Sequence, residues 1–159
     1  MQGNEFDIHV FHSKKIVLLG DFMVDEYLQG EVSRISPEAP VPVVNVTKKQ
    51  ERLGGAGNVV LNLTALGAKV AVITYLGQDR GGDLIINRLK RTGVNVSGIL
   101  QGPDAVTSIK TRVTAQNQQL LRYDQETVRN VPEIFSVFIK EHIDKLLDDA
   151  DAVIISDYG

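Results

Sequence analysis

Gly54, Gly55 and Gly57 crowd the mouth of a predicted helix whose first turn carries Asn58. Glycine leaves backbone N–H groups open to a polar guest and permits dihedrals that other residues avoid. The helix that follows points its unpaired N–H groups and its positive dipole end at the same spot. Asn58 and Asn62 lie four residues apart and share a helix face. Ala56, Val59, Val60, Leu63 and Leu66 make an apolar stripe, and Gly67 stands where a C′ residue ends a helix. The stretch reads as a cradle for a polyhydroxyl compound or an anion; a tight turn with solvated asparagines is the other reading.

Two phosphate-binding patterns are excluded. A G-x-x-x-x-G-K-[ST] loop needs a lysine after its glycines, and none follows here. A dinucleotide fingerprint needs glycines directly after a buried strand. The polar run Lys48–Arg52 is expected to separate these from the nearest strand, and Val60 occupies the third glycine position.

Two carboxylates, Asp21 and Asp25, follow a first apolar run at Lys15–Leu19. Ligands of open α/β sheets bind at the carboxyl ends of strands, and a carboxylate accepting from vicinal hydroxyls is a strong way to hold a sugar. For Asp21, capping the next element is an equal alternative. Lys110, Arg112 and Arg122 recur at even spacing, so Lys110 and Arg112 share a strand face able to receive a phosphate, or simply one that is solvated. His9 and His12 are read as surface histidines, for want of a third ligand, and His142 as a packed or surface residue.

The elements that must position these groups follow from periodicity. Lys15–Leu19, Lys69–Leu76 and Ala152–Ile155 are continuous apolar runs of the kind buried in parallel sheets, and Val96–Leu100 is a third short strand before the last of them. A helix capped by Gln78–Asp83 runs to Arg91 with Gly93 at C′, and another starts at Pro132 as N1 with a core stripe of Ile134, Phe135, Phe138, Ile139, Ile143, Leu146 and Leu147. Alternating strands and helices predict an α/β fold with a doubly wound, mostly parallel sheet. Arg34–Pro42, with three prolines in six residues, is a stiff extended loop. Around it, Glu26–Glu31 and Val43–Thr47 look like edge strands of a small separate sheet. Val106–Thr114 and Leu120–Asp124, joined by a loop at Ala115–Gln119, form a hairpin expected to join them as a lid. Residues 1–13 are a lead or a short helix.

The chain has 159 residues, enough for one domain that buries about 70% of its unfolded surface. A net charge of −3 gives no electrostatic case for nucleic acid or an anionic membrane. No cysteine is present, which excludes disulfides and thiolate metal sites and suits a reducing compartment. The apolar run Ile16–Leu19 is too short for a signal peptide, and no segment is long and apolar enough to span a bilayer, so a cytoplasmic protein is expected.

Taken together, several motifs resemble the amino-terminal half of ribokinase-like, PfkB-type sugar kinases. They are Gly20-Asp21-Phe22-Met23-Val24-Asp25, the run Ser33 to Val44, Gly54-Gly55-Ala56-Gly57-Asn58, Thr111-Arg112-Val113, the run Asn117 to Arg122, and Ser156-Asp157-Tyr158. The resemblance extends from about residue 14 to the end, and the Ser33–Val44 and Asn117–Arg122 runs are diagnostic of the D-glycero-β-D-manno-heptose 7-phosphate kinase branch. It implies that residues 1–159 are the amino-terminal part of one ribokinase-like domain, with lid segments at about 26–47 and 106–124. It implies that Asp25, Gly54, Gly55 and Asn58 hold sugar hydroxyls with Asp21 nearby, and that the lid strands make a homodimer or a higher oligomer. Of the lid cations, Arg34, Lys110, Arg112 or Arg122 is expected to meet the phosphate of the sugar phosphate, since arginine matches phosphate bidentately. ATP and Mg²⁺ are implied by the family, with their sites outside this chain. The family's glycine-rich anion hole and terminal aspartate base have no counterpart among these residues, so no catalytic residue is named and the chain is expected to be inactive alone. A sugar-phosphate-binding or dimerisation module without chemistry, and a PfkB-type kinase for another sugar, are the alternatives.

Overall fold

The computed structural model describes residues 7–127 and 131–158. Expectations for residues 1–6, residues 128–130 and Gly159 fall outside them. After a short 3-10 helix at Ile8–Ser13 the elements run β1 (Lys15–Gly20), β2 (Phe22–Ile35), β3 (Pro42–Gly55), α1 (Ala56–Ala65), β4 (Lys69–Gly77), α2 (Arg80–Arg91), β5 (Asn95–Gly102), β6 (Ile109–Ala115), β7 (Gln118–Gln125), α3 (Glu133–Leu147) and β8 (Ala152–Ser156).

One four-stranded sheet has the order β5-β4-β1-β8 and is parallel throughout. Its apolar runs are continuous because both faces are covered. Val60 and Leu63 of α1 and Ile85 and Leu89 of α2 pack on Ile16, Leu18, Val70 and Val72. On the other face, Phe135 and Leu146 of α3 pack on Val17, Ala71 and Ile73. This is the doubly wound arrangement expected from the alternation of elements. Gly67 (φ +90°) and Gly93 (φ +76°) sit just past α1 and α2 in the left-handed region, as their C′ placement requires. His142 stacks on Phe138 with ring centroids 4.2 Å apart and its Nδ1 2.8 Å from the Phe138 carbonyl, so it is a packed residue.

Two details of α3 differ from expectation. Pro132 is the N-cap rather than N1, and Ile134 is exposed while Phe135 and Leu146 are buried. A helix turns 100° per residue, so the stripe through Phe135, Phe138, Ile139 and Leu146 leaves its neighbour Ile134 facing outward.

The second sheet, of order β3-β2-β6-β7, is mixed: β2–β3 and β6–β7 are antiparallel, β2–β6 parallel. Its strands are longer than the segments predicted around the proline loop. In particular Lys48–Arg52 does not separate the glycines from a strand; it is part of β3, which runs without a break into α1. β3 is an edge strand with most of its length solvated, so nothing forces apolar residues onto either face and polarity was a poor guide. The dinucleotide pattern stays excluded, because β3 is a peripheral antiparallel strand and position 60 is valine. The β6–β7 hairpin turns at Gln116 (φ 51°) and Asn117 (φ 63°), a two-residue connection of the twist that suits antiparallel strands, where a five-residue loop was expected.

Polar contacts at the amino end of α2 fasten the two sheets together. Glu26 of β2, 6% exposed, accepts from the Thr111 hydroxyl (3.2 Å) and pairs with Lys49 (2.6 Å), while Arg80 pairs with Glu51 and reaches Glu26 at 3.7 Å. Beside it, Asp79 caps α2 by accepting from Gly82 N–H, and its second oxygen accepts from Thr107 N–H, both at 2.8 Å. Burial raises the Asp79 pKa, but the N–H donors of Thr107, Gly82 and Gly81 outweigh it and hold the carboxyl below its usual range. A depressed folded pKa contributes stability that is complete above the unfolded value and is lost as pH falls through the folded one. We therefore expect Asp79→Ala to cost on the order of 1 kcal/mol at pH 7, with the gap to wild type narrowing as pH drops below about 4. Urea unfolding at pH 7 and pH 3 measures this; an equal gap at both would refute the ionised cap.

Candidate functional site

The junction of β1, β2 and α1 is built by two backbone hydrogen bonds and one to a side chain. Asp21 N–H donates to the Ser156 carbonyl (3.0 Å), Ala56 N–H donates to the Asp21 carbonyl (2.9 Å), and Tyr158 N–H donates to Asp21 Oδ2 (2.9 Å). The element after Asp21 is a strand, so the helix-capping alternative does not arise. Its carboxylate instead ties the end of β8 to the end of β1.

Gly54 and Gly55 close β3 at this junction. Gly55 is the N-cap of α1 with φ +55° and ψ −132°, and no side chain caps the helix. A Cβ on Gly55 would lie 2.5 Å from the Asp21 carbonyl oxygen, and one on Gly54 would lie 2.5 Å from Asp25 Oδ2. The absence of side chains thus lets the Asp25 carboxylate lie directly over the β3 backbone. The first turn of α1 begins two residues on from Gly54, so its unpaired N–H groups lie beside this carboxylate, and Asn58 in that turn is exposed. Tyr158 borders the same junction, its ring 3.5 Å from where a Gly55 Cβ would stand.

Asp25, half-buried, is held from β6. Arg112 Nη1 donates to Asp25 Oδ1 at 2.5 Å. The β2–β3 register puts Arg52 opposite Asp25, and the β2–β6 register puts Arg112 opposite Tyr27. Both guanidinium carbons sit 5.4 Å from the Tyr27 ring centroid. Tyr27 and Arg52 were missed in the sequence; the signal for Arg52 was the every-second-residue recurrence of Lys48, Gln50 and Arg52 within what read as a separator.

The other expected cations are placed differently. Lys110 pairs with Asp124 (3.1 Å) and Glu126 (3.0 Å), and Arg122 donates to both oxygens of Asp124 at 2.9 and 2.7 Å. Hydrogen bonding to Glu126, and then to Asp124, lifts Lys110 above its ordinary pKa against the opposing effect of burial. Arg122 foremost, then Lys110, pulls Asp124 well below the usual carboxylate range. Arg34 is exposed at the far end of β2, nine residues from Asp25 and so roughly 30 Å away along the strand. The structure therefore brings together Asp21, Asp25, Gly54, Gly55, Asn58 and Arg112, and leaves Arg34 apart. Among the described residues no group of three or more His, Cys, Asp or Glu is arranged to hold a metal ion, and no helix is long and apolar enough to cross a membrane.

A family model described as "pfkB family carbohydrate kinase" matches residues 13–157. The bifunctional protein HldE of Desulfatibacillum aliphaticivorans is 49% identical over 156 residues, covering 98% of this chain and 32% of that protein. The bifunctional protein HldE of Citrifermentans bemidjiense is 43% identical over 146 residues, covering 92% and 30%. A carbohydrate kinase from Agrobacterium tumefaciens superposes with a TM-score of 0.67 at 19% identity, covering 89% of this chain and 45% of that one, which is a likeness of fold. The chain spans about a third of the length of the curated relatives it matches.

Proposed function

The chain belongs to the pfkB family of carbohydrate kinases, and from that premise we propose that it forms the sugar side of a kinase site for D-glycero-β-D-manno-heptose 7-phosphate, presenting the anomeric hydroxyl for phosphorylation by ATP in ADP-heptose supply. The observation that carries this reading is the Asp25 carboxylate laid across Gly54 and clamped by Arg112. One of its oxygens is fixed by the guanidinium, and the remaining lone pairs of the carboxylate suit two neighbouring sugar hydroxyls. Asn58 offers both a donor and an acceptor beside it. The branch motifs at Ser33–Val44 and Asn117–Arg122, together with the similarity to the HldE proteins, favour the heptose over other sugars.

The contribution of these residues is binding and orientation. Phosphoryl transfer rests almost wholly on positioning and charge stabilisation, and no described residues gather as ligands for Mg²⁺. We place the nucleotide and its Mg²⁺ outside this chain, as the family resemblance implies. We accordingly expect residues 1–159 to bind heptose 7-phosphate in calorimetry more tightly than ribose or fructose 6-phosphate, while releasing no ADP in a coupled assay. Equal or absent binding of the heptose would remove the substrate assignment; robust turnover would remove the claim of inactivity.

A further inference from the structure

Further along the same face of the second sheet, Tyr27, Gln29, Lys48, Gln50, Arg52 and Thr114 line a shallow depression of about 120 Å³. We infer that this depression is a subsite for a phosphoryl group carried at the far end of the sugar, with Arg52 and Lys48 as its cationic ligands. The inference rests on the sugar-binding reading above and moves the phosphate away from the residues first expected to hold it.

Charge balance is the main argument. On this face Lys110, Arg112 and Arg122 are matched by Asp25, Asp124 and Glu126. An anion arriving at Lys110 or Arg122 would have to displace a carboxylate already hydrogen-bonded there. Among the described residues neither Arg52 nor Lys48 has a carboxylate within ion-pair distance. Of these five cations three are ion-paired, and the two that are not both line the depression, in a chain whose net charge is −3. A concave site with uncompensated charge raises the local concentration of the opposite ion.

Geometry supplies the rest. The Tyr27 ring lies between Arg52 and Arg112, and such contacts orient a guanidinium plane rather than leaving it to wander in solvent. Arg52 then presents a fork that fits two phosphoryl oxygens, Lys48 a point charge, and Gln29 and Gln50 neutral donors for the third oxygen. Tyr27 is two residues from Asp25, about 7 Å along the strand, a span comparable to a pyranose ring with its exocyclic tail. A sugar whose hydroxyls meet Asp25 would lay its distal phosphoryl group over Tyr27.

The test is calorimetry of the chain with D-glycero-β-D-manno-heptose 7-phosphate and with the same heptose lacking its phosphate. Lys48 and Arg52 are exposed on an edge strand, so the Lys48→Ala/Arg52→Ala variant is expected to fold. Wild type should prefer the phosphorylated sugar, and the variant should lose about 10- to 100-fold in affinity for it while binding the unphosphorylated heptose as wild type does. Unchanged preference in the variant overturns the subsite with the sugar site intact. If wild type binds neither heptose, the substrate reading falls, and inorganic phosphate decides the subsite by itself. Millimolar phosphate that shifts the Arg52 Nε–H resonance in wild type, and not in Lys48→Ala, sustains it; no shift in wild type overturns it.

Discussion

Gly55→Ala is expected to destabilise the chain by about 3 kcal/mol or more, from two costs that act together. At φ +55° and ψ −132° the residue occupies a conformation that L side chains rarely adopt, and such strain costs on the order of 1–3 kcal/mol. A methyl group there would also stand 2.5 Å from the Asp21 carbonyl oxygen. That oxygen cannot retreat freely, because it accepts the Ala56 N–H that starts α1, and forced overpacking adds roughly 1–3 kcal/mol. Gly93→Ala provides the internal comparison: its φ is +76°, yet nothing lies within 4 Å of the new Cβ, so it should cost only about 1 kcal/mol. Urea denaturation of both variants separates conformation from collision. Equal losses at the two positions would show that the Asp21 contact is unimportant.

Replacing Asp25 should instead strike binding. Asp25→Ala removes the acceptor assigned to the sugar hydroxyls and leaves Arg112 without its carboxylate. Charge-assisted hydrogen bonds are each worth about 1.5–3 kcal/mol, so losing two of them predicts a drop in heptose 7-phosphate affinity of at least about 100-fold. Asp25→Asn should recover little, since the amide carries no charge to strengthen either bond and has one oxygen, not two, to share between the guanidinium and the hydroxyls. Stability should fall by no more than about 1 kcal/mol, because the pair is partly solvated. Calorimetry alongside urea unfolding distinguishes the two effects. Affinity within threefold of wild type would sink the role given to Asp25.

The parallel sheet and its helices were legible because both faces are buried, which forces unbroken apolar runs such as Ile16–Leu19 and Val70–Ile73. Gly67 and Gly93 were legible for another reason: a chain leaving a helix needs a left-handed residue, and glycine adopts that conformation at least cost. The second sheet was harder. Solvent reaches both sides of much of β3, so burial left no imprint on Lys48–Arg52, and two candidate ligands were hidden in a run that looked like a connector. Asp25 and Gly54 were each legible as candidates, but their contact was not: it depends on the β2–β3 register, in which they lie two steps apart, and only the family resemblance joined them. Which cation is available was not readable. Lys110 and Arg122 have the right chemistry, but Asp124 and Glu126, brought alongside by a two-residue turn, already occupy them.

The position of β1 has a consequence for how the chain acquires its structure. It lies between β4 and β8, with Lys15 paired to Lys69 on one side and Ile16 to Ala152 on the other. Contacts this distant in sequence give a high contact order, and loop-closure entropy must be met before they form, which slows folding. At a synthesis rate of 5–20 residues per second, the first strand would wait on the order of 10 seconds for its last neighbour to be made. During that interval Ile16–Leu19 presents an open apolar edge, the kind that recruits foreign strands. The Asp21 carboxylate receives Tyr158 N–H only once β8 has docked. The junction at Asp21 is therefore completed only when β8 has joined β1.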